Sequence, residues 1–330
     1  MKKLIYNITL VLFLSTLSCK NESAERKHTT TKEISTNIKS YPDFNEDSAY
    51  SFINTQVSFG SRVISSPGWE KCGLWLEKKL LQYTDDVTLQ TAPITTYDGK
   101  THTLKNIIAS FSPKKNNPIA LFAHWDSRHI ADQDTKNKNS PILGANDGGS
   151  GVGVLIELAR SFKNNPPRIG VDIIFFDAED YGDAENTTNN NSNISWCLGS
   201  QHWSNNIHKP NYSPKYGILL DMVAGENAKF YREGYSMENA SFIVEKVWKR
   251  ANKLNFGNYF IYQNSPKILD DHVFVNYIAK IPTINIIEHD PSTSHQFNKH
   301  WHTHKDEMKN IDKKTLNAVG TTLVDIIYNE

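Results

Sequence analysis

Val171-Asp172-Ile173-Ile174-Phe175-Phe176 runs directly into Asp177-Ala178-Glu179-Asp180, and the reading of this junction decides the fold. A short β-branched and aromatic run that stops at a cluster of acids reads as a buried strand carrying carboxylates to the mouth of a sheet. The pattern recurs. Residues 119–123 are apolar and lead into His124 and Asp126, and residues 216–220 lead into Asp221. Asp147 stands before a glycine-rich turn, and His302 lies in Trp301-His302-Thr303.

Desolvating an ionised carboxylate costs several kcal/mol unless a cation or hydrogen bonds compensate. Acids delivered by buried strands therefore need a counter-charge, and a divalent metal supplies one. Carboxylate oxygens together with histidine nitrogen suit zinc, and a catalytic zinc commonly takes three protein ligands with one position left open. The chain has no cysteine cluster of the kind that builds a structural zinc site.

Outward from the junction, residues 47–57 and 68–83 carry apolar side chains at helical spacing, the second placing Trp69, Cys72, Trp75, Leu76, Leu80 and Leu81 on one broad face. Residues 87–93, 104–111 and 118–123 are short apolar runs separated by the turn signals Asp98-Gly99 and Ser112-Pro113, a pattern that predicts antiparallel strands. From there helices at 149–162, 198–205, 237–254 and 313–328 alternate with strands at 171–176, 216–222 and 282–287. Such alternation implies crossovers onto a parallel sheet. The glycine-rich stretch 144–153 lacks both the GxGxxG spacing and a Gly-Lys-Ser/Thr ending, which argues against nucleotide binding. Asp147, at the start of a helix, reads either as a metal ligand or as a helix cap. The asparagine-rich insert 186–193 reads as a surface loop beside the acidic pair, met by substrate or simply a drifted polar insertion.

The 330 residues include 36 lysines and arginines against 36 aspartates and glutamates, so no net field recruits nucleic acid or an anionic membrane surface. Met1-Lys2-Lys3, the apolar stretch 4–17 and Ser18-Cys19 read as an export signal, too short for a stable membrane span. Ser18 is the small residue a lipoprotein signal places before its modified cysteine, although Thr16 stands where leucine is usual; cleavage as an ordinary secretory signal is the alternative. Either way the expectation is an extracytoplasmic protein facing the periplasm or cell surface, touching membrane only through a lipid on Cys19. Residues 1–18 are then a signal peptide, 19–41 a polar tether, and 42–330 one catalytic α/β domain. Cys72 and Cys197 are left over, enough for one disulfide in an oxidising compartment, and neither is assigned a role.

Lined up in order, Ala123-His124-Trp125-Asp126-Ser127-Arg128, Gly144-Ala145-Asn146-Asp147, Phe176-Asp177-Ala178-Glu179-Asp180, Leu220-Asp221-Met222-Val223, Asp270-Asp271-His272 and Trp301-His302-Thr303 resemble the zinc-dependent aminopeptidase superfamily. Within it the chain is most similar to glutaminyl cyclases, especially bacterial ones related to the animal enzyme. The resemblance spans nearly all of the mature chain. It implies a three-layer α/β/α sandwich with a mixed, mostly parallel central sheet.

It also implies roles. Asp147, Asp180 and His302 would hold one zinc per chain, with Glu179 as the acid/base beside it. Asp221 and Asp270 would form a hydrogen-bonded acid pair that steadies the leaving group. Trp196 and Trp301 would wall the substrate. Where the animal pattern has two glutamates, this chain has Glu179 then Asp180, so the second carboxylate is one methylene shorter and its backbone must approach the metal more closely. The implied reaction is cyclisation of N-terminal glutamine to pyroglutamate with release of ammonia, and the partners are peptides or proteins that begin with glutamine. A rival reading is a two-zinc aminopeptidase, in which His124 and Asp221 hold a second metal bridged by Asp147. A third is an inactive peptide-binding lipoprotein.

Overall fold

The computed structural model describes residues 41–112, 117–184 and 194–330. Residues 40–330 form one compact unit. The export signal, the Cys19 lipidation site and the insert 186–193 lie outside the described residues, and so does all of the tether except Tyr41. Among the described residues no helix is long and apolar enough to cross a membrane.

The centre is a six-stranded sheet of β1 (Val87–Thr95), β2 (Thr101–Phe111), β3 (Ile119–His124), β4 (Val171–Phe176), β5 (Tyr216–Asp221) and β8 (Thr283–Ile287), ordered β1-β2-β4-β3-β5-β8. Strands β3, β4 and β5 are buried along their whole length, and apart from Asp172, which accepts from Ser110, and the terminal His124 and Asp221, their side chains on both faces are apolar. Alternation assigns the faces. Leu121, Ile173 and Phe175 belong to the larger core, beneath α1 (Glu46–Ser58), α2 (Pro67–Leu81), α3 (Gly149–Asn164), α5 (Gly234–Lys253) and α7 (Lys313–Tyr328). Phe122, Ile174 and Phe176 face the smaller core, where Trp203 of α4 (Leu198–Asn205) and Val275 of α6 (Asp271–Tyr277) close over them. The result is the expected helix–sheet–helix sandwich.

One expectation is overturned. Residues 118–123 do not continue an antiparallel meander; β1 and β2 form a hairpin, β2 pairs antiparallel with β4, and β3 lies between β4 and β5, parallel to both. The reason is burial, since a strand apolar on both faces belongs at the sheet centre, where crossovers make its neighbours parallel. Three elements carried no clear periodic signal: the short parallel pair β6 (Phe230–Arg232) and β7 (Phe260–Asn264), and α6. Asp147 does not cap α3, whose N-cap is Gly148 with no side-chain bond. Cys72 and Cys197 are both buried free thiols, so the disulfide does not form.

The N-terminus of α5 is tied to α6 by one buried carboxylate. Glu233 accepts from the Tyr235 and Ile268 amides through Oε1, and from the Ser236 amide and hydroxyl through Oε2, which also lies 3.0 Å from His272 Nε2. Burial alone would raise its pKa, but the histidine and the amides outweigh burial and bring it to about 2. A depressed acid stabilises the fold above its unfolded value of 4.5 and loses that contribution as pH falls toward about 2. We therefore expect Glu233→Ala to cost about 3 kcal/mol. The difference in unfolding free energy between wild type and Glu233→Ala should shrink as the pH is lowered through that window; a pH-independent difference would show that the charge is not what stabilises.

Candidate metal centre and active site

The C-terminal ends of β3, β4 and β5 release the chain at one edge of the sheet, the place where open α/β sheets bind ligands. A cavity of about 350 Å³ opens there, lined by Asp147, Glu179, Asp180, Trp196, Asp221, Asp270, Trp301 and His302. Every residue singled out from the sequence as catalytic, metal-holding or substrate-walling thus faces the same space. His124 lies just beneath it, and an atom of His124, Asp147 and Asp221 falls within 4.8 Å of the others.

Asp147, Asp180 and His302 likewise offer one ligand atom each within 4.8 Å of one another. His302 Nε2 is 3.2 Å from Asp180 Oδ1 and 3.6 Å from Asp147 Oδ2. Both Asp180 oxygens are buried, and neither takes a hydrogen bond. A buried carboxylate left in this condition is costly, and a cation between these three side chains would remove the cost. Two carboxylates and an imidazole are a donor set that zinc accepts.

The surrounding groups hold these ligands at the backbone. Asp126 accepts the Glu179 and Asp180 amides, one on each oxygen at 3.1 Å, which compensates for the short reach of Asp180 by fixing where its main chain stands. Arg128, fully buried, donates to the Asp180 and Gly182 carbonyls. Asp306 accepts the Asn146 and Asp147 amides at 2.7 and 3.1 Å. Asp132 Oδ1 lies 3.0 Å from His302 Nδ1, so Nε2 is left to face the cavity, the carboxylate–histidine arrangement typical of metal ligands. Several hinge residues adopt left-handed backbone conformations although none is glycine: Ala178 (φ 52°), Cys197 (φ 60°), Met222 (φ 49°) and His302 (φ 54°). Such conformations persist only when the surroundings impose them.

Charge is dense. Burial lifts the Glu179 carboxyl well above the ordinary range, and Asp180, Asp270 and Asp271 push it further against the opposing His124. Burial and Asp147 raise Asp180 to about 6 despite His302. Burial raises Asp221 to about 8, with Asp147 and Asp270 adding to it and His124 opposing. Burial would lower His302, but Asp180 and Asp132 reverse this and hold it at about 9. The site therefore retains protons that a bound cation would displace.

Two indoles complete the walls. Trp301 stacks on the His302 ring with centroids 3.7 Å apart, and Trp196 lies nearly parallel to it at 6.2 Å. Trp196 is held from behind by the Arg128 guanidinium, 4.4 Å from its ring. Gly182 is needed here, because a Cβ would sit 1.9 Å from Trp196 Cδ2. Asp270 accepts the Asp271 amide at 2.5 Å and the Asn285 side-chain amide at 2.6 Å, and Asp221 Oδ1 lies 3.3 Å from His124 Nε2.

Sequence reasoning missed part of the site. His289 and His295, lone histidines outside every motif read from the sequence, line the cavity with Ile268, Leu269, Ile287 and Phe297. Asp132 and Asp306 sit in irregular loops where no periodicity marks a buried acid. Asp177, the first acid of the motif after β4, accepts from Trp69 Nε1 and the Lys105 and Ala178 amides, and so anchors the turn to α2 and β2.

Comparison with known proteins gives the family. The glutaminyl cyclase of Bacteroides thetaiotaomicron, solved with N-acetylhistamine bound, is 49% identical and superposes with a TM-score of 0.85 over 88% of this chain and 99% of that one. A Zn-dependent exopeptidase from Parabacteroides distasonis is 48% identical with the same TM-score, covering 88% of this chain and 99% of its own. The glutaminyl-peptide cyclotransferase of Dictyostelium discoideum is 26% identical over 370 residues, 95% of this chain and 94% of the relative. Residues 106–327 match Peptidase family M28, and the chain belongs to that family.

Proposed function

We infer that this protein is a zinc-dependent glutaminyl-peptide cyclotransferase. The observation that carries the reading is the meeting of Asp147, Asp180 and His302 around two unsatisfied Asp180 oxygens, directly beside Glu179, in a cavity walled by aromatic rings. The likeness to glutaminyl cyclases over nearly the whole domain supports it.

In this reaction the α-amine of an N-terminal glutamine forms a bond to its own side-chain amide carbon, the C–N bond to the amide nitrogen breaks, and ammonia leaves. A zinc ion held by Asp147, Asp180 and His302 would supply Lewis-acid polarisation of the amide oxygen. Glu179 takes the proton from the attacking amine and returns it to the departing nitrogen, a role suited to a carboxyl whose buried site raises its proton affinity. Asp221 and Asp270, whose charges disfavour each other, hold a proton near the leaving group. Trp196, Trp301 and Phe297 narrow the cavity and keep water from competing with the internal amine.

One zinc per chain is part of the proposal. A second ion would have to use His124 and Asp221, whose ligand atoms also come within 4.8 Å of one another and of Asp147, so the zinc count of the purified protein decides this part of the proposal. We also propose that the protein is exported and anchored through Cys19, from the apolar stretch 4–17 ahead of it. Labelled fatty acid should enter the wild type and not Cys19→Ala; equal labelling would end that proposal.

Purified protein should release ammonia from peptides beginning with glutamine, leave leucyl amides intact, and carry about one zinc. Two tightly held zincs with amino-acid release would establish the aminopeptidase instead. Glu179→Gln should keep the metal and lose roughly 10²- to 10⁴-fold in kcat. Asp132→Asn, which weakens the support of His302, should lower zinc affinity roughly 10- to 100-fold in a chelator competition; unchanged affinity would remove Asp132 from that role.

A further inference from the structure

Glu179 has a long side chain with three rotatable bonds, and the acid/base role requires it to stay pointed at one place. Its backbone is fixed on both sides: its amide donates to Asp126, and its carbonyl accepts from the Cys197 amide at 2.9 Å. The next amide along, Leu198, donates to the Ala178 carbonyl at 3.0 Å, so residues 197–198 are bonded alongside residues 178–179. The carboxylate itself is engaged by the same residue, with Cys197 Sγ donating to Glu179 Oε1 at 3.1 Å. Among the described residues Oε2 takes no hydrogen bond, and this oxygen is left for a substrate.

Cys197 is not simply a small apolar filler at this point. It is fully buried, it is held in the left-handed backbone region at φ 60°, and its Sγ lies in a group with Glu179 and Asp270 rather than among hydrocarbon side chains. The other free cysteine, Cys72, provides the contrast, since it packs within the apolar core. A thiol is a weak donor, long enough to reach the carboxylate from this backbone position.

We propose that Cys197 is a positioning residue for Glu179: its thiol, on a backbone hydrogen-bonded to the Glu179 carbonyl, holds the carboxylate by one oxygen so that the other meets the substrate. The inference rests on the cyclase reading and adds a residue to it. Removing the thiol frees the carboxylate to turn without disturbing the metal ligands or the aromatic walls. The loss is therefore expected in kcat and not in KM.

The test compares wild type, Cys197→Ala, Cys197→Ser, Glu179→Gln and the double variant Glu179→Gln with Cys197→Ala, using ammonia release from a glutaminyl peptide and zinc content on the same samples. Cys197→Ala should lose roughly 10- to 100-fold in kcat, the scale of a misplaced reacting group, with KM and zinc unchanged. Cys197→Ser, which keeps a donor, should recover most of that loss, and the double variant should be no slower than Glu179→Gln alone. Wild-type kcat in Cys197→Ala, or equal losses from Cys197→Ala in the two backgrounds, would overturn the proposal. An inactive wild type would instead strike the cyclase reading. Should Cys197→Ala fail to fold, the infrared S–H band decides: in wild type one thiol band should lie at the lower frequency of a hydrogen-bonded group and move up in Glu179→Ala. An unmoved band would refute the contact.

Discussion

The structure is organised around buried negative charge. Asp126, Asp147, Asp180, Asp221, Asp270 and Asp306 are all buried around one end of the sheet, with the half-buried Glu179 beside them. No packing arrangement makes such a collection stable by itself, because each ionised carboxylate removed from water must recover its hydration from donors or a cation. The molecule divides the task. Asp126 and Asp306 are given backbone amides and become fixed points. Asp180 is denied them, and with Asp147 and His302 it forms a group that could hold a metal. What sets Asp126 and Asp306 apart from Asp180 is which oxygens have been satisfied by the chain.

This division explains why the shorter carboxylate at position 180 is workable. Losing a methylene relative to glutamate would leave a freely placed side chain short of its target. Here the main chain at 179–180 is clamped by Asp126 from one side and Arg128 from the other. The same guanidinium supports Trp196, so the residue that sets a ligand also sets a wall of the cavity. Reach lost in the side chain is offset by placement of the backbone.

Much of this was legible in the sequence, for physical reasons that differ by element. The boundaries of β4, α4 and α7 are those read from the chain; for β4 a short apolar run ending in acids, and for α7 apolar residues at helical spacing, leave little choice. The acids at the ends of β4 and β5 were visible because they interrupt apolar runs. Pairing direction was not: the run 118–123 has no local property that distinguishes an antiparallel third strand from the parallel centre of the sheet, and the answer depends on which strands later join it. Asp132, Asp306 and Cys197 were illegible because their importance comes from contacts across long stretches of chain, with His302, Asp147 and Glu179 respectively. Their own neighbours in sequence carry no hint of it.

Asp147, Asp180 and His302, which could hold a metal, enter from loops widely separated along the polypeptide, and His302 lies in the last of these, shortly before α7. A ribosome must therefore make almost the whole domain before the ionic centre can exist. Until then the Glu179 and Asp180 amides have only part of their folded surroundings and the Asp180 carboxylate has no imidazole opposite it, so it remains hydrated in an open chain. A metal held by these three side chains would therefore be captured late, once the sandwich has closed.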